Sequence, residues 1–220
     1  MKNKKYQVGI AVLAYDISPQ IITRFVDSVH VDARPDVSFY IHIYNSKSLT
    51  IHEEKIYFCK NKGLNRCIEE LADDCEVILC ADIDLLIPPG YIDKSYEIAL
   101  SRPFSGFIRK MPEGVVLTPR NWDEWIKFSV APFAFGPWNA LTTDDWFKIG
   151  GWNENMYSWG YDEHIYDRMI YHGLKPFRED IAPLVHVYHP RRNVDARDLE
   201  VGYENRIKQT IGVNFLNVNS

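Results

Sequence analysis

Two aspartates, two positions apart, end the apolar segment "EVILCADID" and are followed by a proline turn. Alternate residues of a strand share one face, so the carboxylates of Asp82 and Asp84 could converge on one hard cation. Oxygen ligands suit Mg²⁺ or Mn²⁺, which usually keep open positions for substrate phosphates. The alternative is a pair of solvated turn acids, which the spacing alone would favour. Their placement after a buried strand favours the metal site.

The segment "SWGYDEHIYDRM" surrounds one glycine with aromatic and acidic side chains. Asp162 and Glu163 fall in the first turn of a predicted helix, where the helix dipole stabilises carboxylates, so a structural role would account for them. That role does not explain the nearby aromatic residues Tyr157 and Trp159. Aromatic rings that stack on a sugar, beside a carboxylate that accepts from a hydroxyl, suit a carbohydrate site. The residues alone leave both interpretations open.

A pair of histidines precedes a proline in "LVHVYHP". On a regular strand, His186 and His189 would face opposite sides, so they could share an ion only if the strand bends before Pro190. One metal-binding histidine is therefore more consistent with this spacing than two. Histidines without a ligand role are an equal alternative.

Basic residues cluster at another predicted helix start, in "CKNKGLNRC". Lys60 and Arg66 flank Gly63 there, and backbone N–H groups at a helix start favour an anion. A solvated loop is the alternative. Further positive charge follows late in the chain, at Arg191 and Arg192.

The elements that must position these residues alternate in the first half of the chain. Strand patterns lie in "QVGIAVLAY", "VSFYIHIYN", "KIYFC" and "EVILCADID", and helical patterns in "SPQIITRFVDSV" and "GLNRCIEELA". This alternation predicts an α/β fold with a half-sheet of the nucleotide-binding type. Ligands of such sheets bind at the carboxyl ends of the strands, where Asp82 and Asp84 lie.

The second half has a different pattern. Residues 103–137 are rich in aromatics, prolines and glycines, which predicts irregular structure and the edge of a mixed sheet. "ALTTDDWFKIGG" predicts a strand end, a cap at Thr142 or Thr143, a short helix and a double-glycine stop. "LVHVYHP" predicts a last strand and "RDLEVGYENRIKQTIG" a final helix. "DEHIYDRMIYHG" predicts a helix that ends at Gly173 and has one apolar stripe, formed by Ile165, Met169 and Ile170.

Composition limits the class of protein. With 220 residues, 46% of them hydrophobic and 25% charged, we expect one globular domain over residues 1–220. The net charge of -5 gives no electrostatic support for binding nucleic acid. No window approaches the ~18 apolar residues of a membrane span, so we expect no transmembrane segment. Four cysteines without metal-type pairing indicate a reducing compartment.

Five segments, in order along the chain, resemble the GT-A fold inverting glycosyltransferases, most closely the β-1,4-galactosyltransferase and chondroitin-polymerase type. "FCKNKGLN" resembles the family segment Phe-Asn-Arg-x-x-x-x-Asn, with Phe58 and Asn65 in place and Lys60 at the arginine. "ADIDLLIP" is similar to the Asp-Val-Asp metal strand, a DXD motif. "FGPWNALTTDDWFKIGGWNEN" resembles the Phe-Gly-Gly-Val-Ser-Ala-Leu-Thr loop and the helix after it, with Gly136 in place.

The remaining two segments complete the resemblance. "HVYH" falls on the family's Met-x-x-His metal segment. "SWGYDEHIYDRM" resembles Trp-Gly-Gly-Glu-Asp-Asp-Asp-Ile-Phe-Asn-Arg-Leu and shares Trp159, Gly160, Asp162, Ile165 and Arg168. Two departures matter: Tyr161 replaces a glutamate and His186 replaces a methionine, so the acceptor and the preferred metal need not be those of the family. The membrane anchor of the family is absent, so a cytoplasmic location is expected instead of a Golgi one.

The resemblance implies a metal-dependent inverting transfer from a nucleotide-diphosphate donor, most simply a UDP-sugar, to a glycan acceptor. Residues 1–100 would form the nucleotide-binding half of a mixed GT-A sheet and residues 101–220 the acceptor-binding half. Asp162 would be the catalytic base. The implied metal ligands, for Mn²⁺ or Mg²⁺, are Asp84, His189 and His186. The implied donor contacts are Lys60, Asn65, Arg66, Asp82, Gly136 and Asn45, and the acceptor contacts are Trp159, Tyr157 and Glu163.

Two other functions are compatible with the same residues. A non-catalytic module that binds carbohydrate or nucleotide would keep its function when Asp162 is replaced. A metal-dependent hydrolase that used Asp82, Asp84 and both histidines would cleave nucleotide sugars without an acceptor. The effect of the acceptor and of Asp162 on turnover therefore separates the three hypotheses.

Overall fold

The structure, a computed structural model, describes residues 4–14, 18–30, 38–44, 49–52, 55–58, 60–115, 122–131, 136–155, 161–188 and 209–216. Along the chain the strands and helices are β1 (Tyr6–Leu13), α1 (Pro19–His30), β2 (Phe39–Tyr44), β3 (Leu49–His52), β4 (Lys55–Phe58), α2 (Lys60–Leu71), β5 (Cys75–Asp82), β6 (Leu85–Leu86), α3 (Tyr91–Ala99), β7 (Phe104–Gly106), β8 (Ile108–Lys110), α4 (Trp122–Trp125), β9 (Val130–Ala131), β10 (Trp138–Thr142), α5 (Thr143–Ile149), α6 (Tyr161–Tyr171), β11 (Phe177–Glu179) and β12 (Val185–His186).

A six-stranded mixed sheet, in the order β11-β7-β10-β5-β1-β2, forms the centre of the fold. β1 runs parallel to β2 and β5, whereas β10 is antiparallel to both β5 and β7. The predicted α/β fold with a mixed central sheet is confirmed. β5 is buried between β1 and β10, and its carboxyl end carries Asp82.

One strand pairs differently from the prediction. "KIYFC" does form a strand, β4, but β4 pairs with β3 in a separate two-stranded antiparallel sheet instead of extending the parallel half-sheet. β3 was not predicted from the sequence. A short run of β-branched and aromatic residues predicts a strand, but the choice of its partner depends on the turn and on the neighbouring strand.

Helices cover both faces of the central sheet, as predicted. α1 and α3 pack on the face that includes Val8 and Leu79. α2, α5 and α6 pack on the opposite face, around Ile78 and Leu141. The described cysteines are free thiols in the interior, and burial raises the pKa of Cys80 to about 12, which agrees with a small core residue.

The helix α5 follows its sequence signals closely. Thr142 is the N-cap, and its hydroxyl accepts a hydrogen bond from the backbone N–H of Asp145 at 3.1 Å. The helix ends at Gly150, where φ is 72°, in the left-handed region that favours glycine. Thr143 has a different role, because its hydroxyl donates to the carbonyl of Cys75 at 2.7 Å.

The predicted apolar stripe of α6 is partly wrong. Ile165 and Met169 are buried as expected, but Ile170 is 53% exposed. Residues four apart share a helical face, whereas Ile170 lies five positions after Ile165 and turns outward. The interior position next to Met169 is occupied by Arg168, which is fully buried.

The segment from Pro103 to Pro137 contains more regular structure than predicted. β8 and β9 join β6 and β12 in a second, four-stranded sheet, in the order β6-β12-β8-β9. The predicted last strand is therefore confirmed as β12. Most of the predicted final helix lies outside the described residues, although Gln209 and Thr210 are helical. Within the described ranges, no helix is long and apolar enough to cross a membrane.

Replacement of the first glycine after α5 should lower the free energy of unfolding. A Cβ on Gly150 would lie 2.7 Å from the Cα of Asn214, so Gly150→Ala combines left-handed strain with a backbone collision. The matched control is Gly173→Ala, since Gly173 has φ of 77° and its Cβ would meet no atom of the described chain within 4 Å. We expect Gly173→Ala to lower the free energy of unfolding by roughly 1–2 kcal/mol.

For Gly150→Ala we expect a loss that is larger by about 1–3 kcal/mol, the typical range for overpacking. Equilibrium urea unfolding of both variants measures the difference. Equal losses would show that the segment around Asn214 moves away without penalty.

Candidate functional site

An ion pair joins the carboxyl end of β5 to the start of α2. The ammonium group of Lys60, the first residue of α2, donates to a carboxylate oxygen of Asp82, the last residue of β5. Both side chains are mostly buried, so solvent screens this pair less than a surface pair. The structure therefore brings two of the predicted donor-binding residues into direct contact.

A second pair lies just beyond the end of β5. Asp84 occupies the turn between β5 and β6, and His186 lies on β12, which pairs antiparallel with β6. The backbone N–H of Val187 donates to the carbonyl of Asp84 at 2.9 Å. With the two backbones fixed in this way, Asp84 Oδ2 and His186 Nε2 are 3.2 Å apart.

A separation of 3.2 Å is that of an ion pair or hydrogen bond, and it also fits two ligands of one divalent metal ion. Two ligands bound at about 2.1 Å to one octahedral ion are about 3 Å apart, close to the separation of the Asp84 and His186 atoms. A carboxylate oxygen suits Mg²⁺ or Mn²⁺, and an imidazole nitrogen suits a transition metal, so the donor set favours Mn²⁺. No cluster of three ligating side chains occurs within the described ranges. His189, the predicted third ligand, lies outside them.

Asn65 connects α2 to the loop that follows α5. Its amide nitrogen donates to the carbonyl of Trp152 at 2.9 Å and to a carboxylate oxygen of Glu154 at 3.0 Å. Its amide oxygen accepts from the backbone N–H of Trp152 at 2.8 Å. Asn65 is buried and its observed partners are protein groups, so the structure shows a positioning role. The predicted donor contact of Asn65 stays a prediction.

Gly151 is part of this connection. A Cβ at this position would lie 2.6 Å from the amide oxygen of Asn65, and φ is 71°. The double glycine therefore stops α5 at Gly150 and also lets Asn65 approach the backbone at Gly151. Only the end of α5 at the double glycine was predicted from the sequence.

Two further predicted donor contacts differ in their surroundings. Arg66 is on the outer surface of α2, where its side chain is 51% exposed and pairs with Glu69 at 3.3 Å. Gly136 is buried close to the end of β5, because the next carbonyl along the chain, that of Pro137, accepts from the backbone N–H of Asp82 at 3.0 Å. The structure thus places Gly136, but not the exposed Arg66, beside the acidic end of β5.

The predicted acceptor side is described only in its backbone. Asp162 and Glu163 lie in the first turn of α6, as predicted, and their side chains are outside the described set. Asn45, Tyr157 and Trp159 also lie outside the described residues. The roles assigned to these residues, and the division into residues 1–100 and 101–220, stay predictions.

Sequence comparison identifies relatives for part of the chain. Residues 127–190 match a family model described as the N-terminal domain of galactosyltransferase. Over 164 residues, 69% of this chain, the sequence is 23% identical to human chondroitin sulfate synthase 3. Over 162 residues it is also 23% identical to the mouse protein. The match spans only 18% of the length of each relative.

Structural comparison extends over most of the chain. The catalytic domain of Drosophila β1,4-galactosyltransferase 7, in complex with xylobiose, superposes with a TM-score of 0.58 at 14% identity, over 88% of this chain and 79% of that chain. Staphylococcus aureus TarS, in complex with UDP-GlcNAc, superposes with a TM-score of 0.64 at 12% identity, over 97% and 68% of the two chains. These structural likenesses confirm the GT-A fold. The sequence matches agree with the predicted resemblance to galactosyltransferases.

The hydrogen bonds of Asn65 lead to a prediction about stability. Asn65→Ala would leave the buried N–H and carbonyl of Trp152 without this partner, at roughly 1–3 kcal/mol for each group. We expect the free energy of unfolding to fall by about 2–4 kcal/mol in chemical denaturation. The control is Asn155→Ala, because Asn155 is exposed in the same loop. If both variants lost the same amount, the amide of Asn65 would not be what joins α2 to the loop.

Proposed function

We propose that this chain, which is similar to galactosyltransferases and to chondroitin sulfate synthase 3, transfers a sugar from a UDP-sugar to a hydroxyl group of a glycan, with inversion at the anomeric carbon. The observation that carries this proposal is the Asp84–His186 pair at the carboxyl edge of β5, with its metal-like spacing of 3.2 Å. A mutant of the Drosophila enzyme, with a TM-score of 0.52 to this chain, forms a complex with manganese, UDP-Gal and xylobiose.

Asp84, His186 and the predicted third ligand His189 would hold the Mn²⁺ or Mg²⁺ ion. When bound, such an ion supplies positive charge that stabilises a departing diphosphate more strongly than the intact donor. The residues around it bind and orient the nucleotide. Lys60 contributes a mostly buried ammonium group, which Asp82 holds at the end of β5.

Other residues complete the proposed donor site. Asn45, Gly136 and Arg66 are the remaining predicted donor contacts, of which the buried Gly136 lies beside the end of β5. A glycine there lets a nucleotide approach the backbone closely. The exposed Arg66 would have to leave Glu69 to reach a phosphate. A surface ion pair contributes little free energy, so this change would cost little.

Asp162 acts as the general base in the proposed reaction. It removes the proton from the acceptor hydroxyl while that oxygen attacks the anomeric carbon from the face opposite the diphosphate. The new oxygen–carbon bond forms as the bond to the diphosphate breaks, and UDP leaves.

The acceptor would bind next to this base. Trp159 and Tyr157 offer aromatic faces for a sugar ring, and Glu163 offers an acceptor for its hydroxyls. Tyr161 stands where the related enzymes have a glutamate, so the acceptor of this protein need not match theirs. A glycan is the acceptor class that these side chains fit.

Donor binding provides the first test of the function. We expect UDP to bind the wild-type protein in the presence of Mn²⁺, and Asp84→Asn to weaken that binding at least about tenfold, since even indirect supports of metal ligands have effects of this size. Isothermal titration calorimetry with and without Mn²⁺ measures the affinity. Asp144→Asn is the control, because Asp144 is exposed at the start of α5, which follows the end of β10 that lies away from Asp84. Metal-independent UDP binding of equal strength in both variants would refute the metal site.

Transfer provides the second test. Asp162→Asn should lower kcat by about 10²–10⁴-fold, the usual contribution of a general base, while UDP and Mn²⁺ still bind. Release of UDP from UDP-sugars, with and without glycan acceptors, measures both transfer and hydrolysis. The control is Asp167→Asn, on the exposed side of the same helix. Unchanged turnover would exclude Asp162 as the base, and equal UDP release without an acceptor would indicate a hydrolase.

A further inference from the structure

A buried arginine connects α6 to the segment 209–216. Arg168 is fully buried, and its guanidinium donates to the carbonyls of Thr210 at 2.7 Å and Val213 at 2.5 Å, and to the carbonyl of Ile149. Among the described residues, no carboxylate pairs with it. Burial lowers the pKa of Arg168 to about 10, so the side chain remains charged at neutral pH.

Backbone carbonyls compensate this charge. The carbonyl of Ile149 lies at the carboxyl end of α5, where the helix dipole is negative, and the ring of Phe215 lies 5.3 Å from the guanidinium carbon. Apolar side chains of similar volume are often at least as stable as buried charges. An arginine adds a fixed geometry here, because its planar group binds one carbonyl at the end of α5 and two in the segment 209–216.

The end of α5 is shaped to receive the same segment. The backbone N–H of Phe215 donates to the carbonyl of Gly150 at 2.9 Å. A Cβ on Gly150 would lie 3.0 Å from a guanidinium nitrogen of Arg168 and 3.0 Å from the carbonyl oxygen of Val213. Glycine is therefore required at this position for the segment and Arg168 to pack together.

Thr210 is bonded from two directions. Its carbonyl accepts from Arg168, and its hydroxyl accepts from the amide of Asn153 at 2.6 Å. Asn153 precedes residues 156–160 in the sequence and Arg168 follows them. The carbonyl of Asn153 in turn accepts from the amide of Asn61 at 2.7 Å. Asn61 follows Lys60, which pairs with Asp82. Hydrogen bonds, of which the Asn61–Asn153 bond is buried, together with this backbone link connect α6 to the end of β5.

We propose that Asn153, Thr210 and Arg168 form a clasp that fixes the first turn of α6 relative to the donor side of the site, and that Arg168 is a positioning residue for transfer. This inference rests on the proposed function. Arg168 lies six residues after Asp162 on the same helix, about 9 Å along its axis, so it acts through the helix and touches no reacting atom.

The test replaces Arg168 with lysine, which keeps the charge but cannot bind three carbonyls. We expect Arg168→Lys to lower kcat for transfer at least about tenfold, because small displacements of a catalytic group have large effects. The Kd of UDP with Mn²⁺ should stay within about twofold, because the Lys60–Asp82 pair and the strands beside β5 do not involve Arg168. Thr210→Val should have a smaller effect, because it removes the bond from Asn153 and keeps the carbonyl that Arg168 binds.

A control separates positioning from stability. Val29→Ala removes buried volume from the opposite face of the sheet, so it should lower stability without changing kcat per folded molecule. Hydrogen exchange of backbone amides provides a readout that does not need activity. In Arg168→Lys, exchange should become faster at the hydrogen-bonded amides of α6, from Ile165 onward, and remain unchanged in β5.

The outcomes are distinguishable. If Arg168→Lys matched Val29→Ala in kcat and in exchange at α6, Arg168 would have only a structural role and the clasp would be refuted. If the wild-type protein transferred no sugar from any UDP-sugar, the proposed function would fail. Amide exchange would then still decide the clasp: a change confined to α6 supports it, and a uniform or absent change overturns it.

Discussion

The antiparallel pairing of β10 with β5 determines which residues meet at the carboxyl end of β5. Because β10 runs against β5, its first residues lie beside the end of β5, and the carbonyl of Pro137 accepts from the backbone N–H of Asp82. The last residue of β10, Thr142, lies at the other edge, so α5 must begin there. After α5 the chain passes α2, where Asn65 binds the backbone of Trp152. A parallel β10 would reverse this order and separate the glycine at position 136 from the acids.

Charge at this edge is arranged in pairs. Asp82 is matched by Lys60, and Asp84 lies beside an imidazole that is neutral when it ligates a metal. In the proposed function this leaves the end of β5 with little net charge of its own, in a chain whose total is -5. A diphosphate would then be attracted by the divalent ion together with the basic side chains, which explains why metal and donor should bind together.

Local signals in the sequence predicted the elements that carry the site. The apolar run into Asp82, the threonine before α5 and the glycine after it each specify structure within a few residues, and each prediction agreed with the structure. The pairing of strands was harder to predict from the sequence. The partner of β4 was missed because its strand pattern does not encode a neighbour. Ile170 was predicted to share an apolar stripe with Ile165 and Met169, and hydrophobicity alone cannot show which of two adjacent apolar residues on a short helix is buried.

The buried polar residues were the hardest to predict, and the reason is physical. A charged residue such as Arg168 reads as exposed from its type alone. Its burial becomes possible only through carbonyl groups supplied by the end of α5 and by residues 210 and 213, which the sequence places far from α6. The same holds for Asn65, whose partners lie 87 and 89 positions away. Asn65 binds the loop that follows α5, and Arg168 binds the last carbonyl of α5, just before that loop. α2, which bears Lys60, and α6 are therefore both attached near this loop. A displacement of the loop itself should affect both sides of the site, whereas a change at Arg168 alone should affect the side of α6.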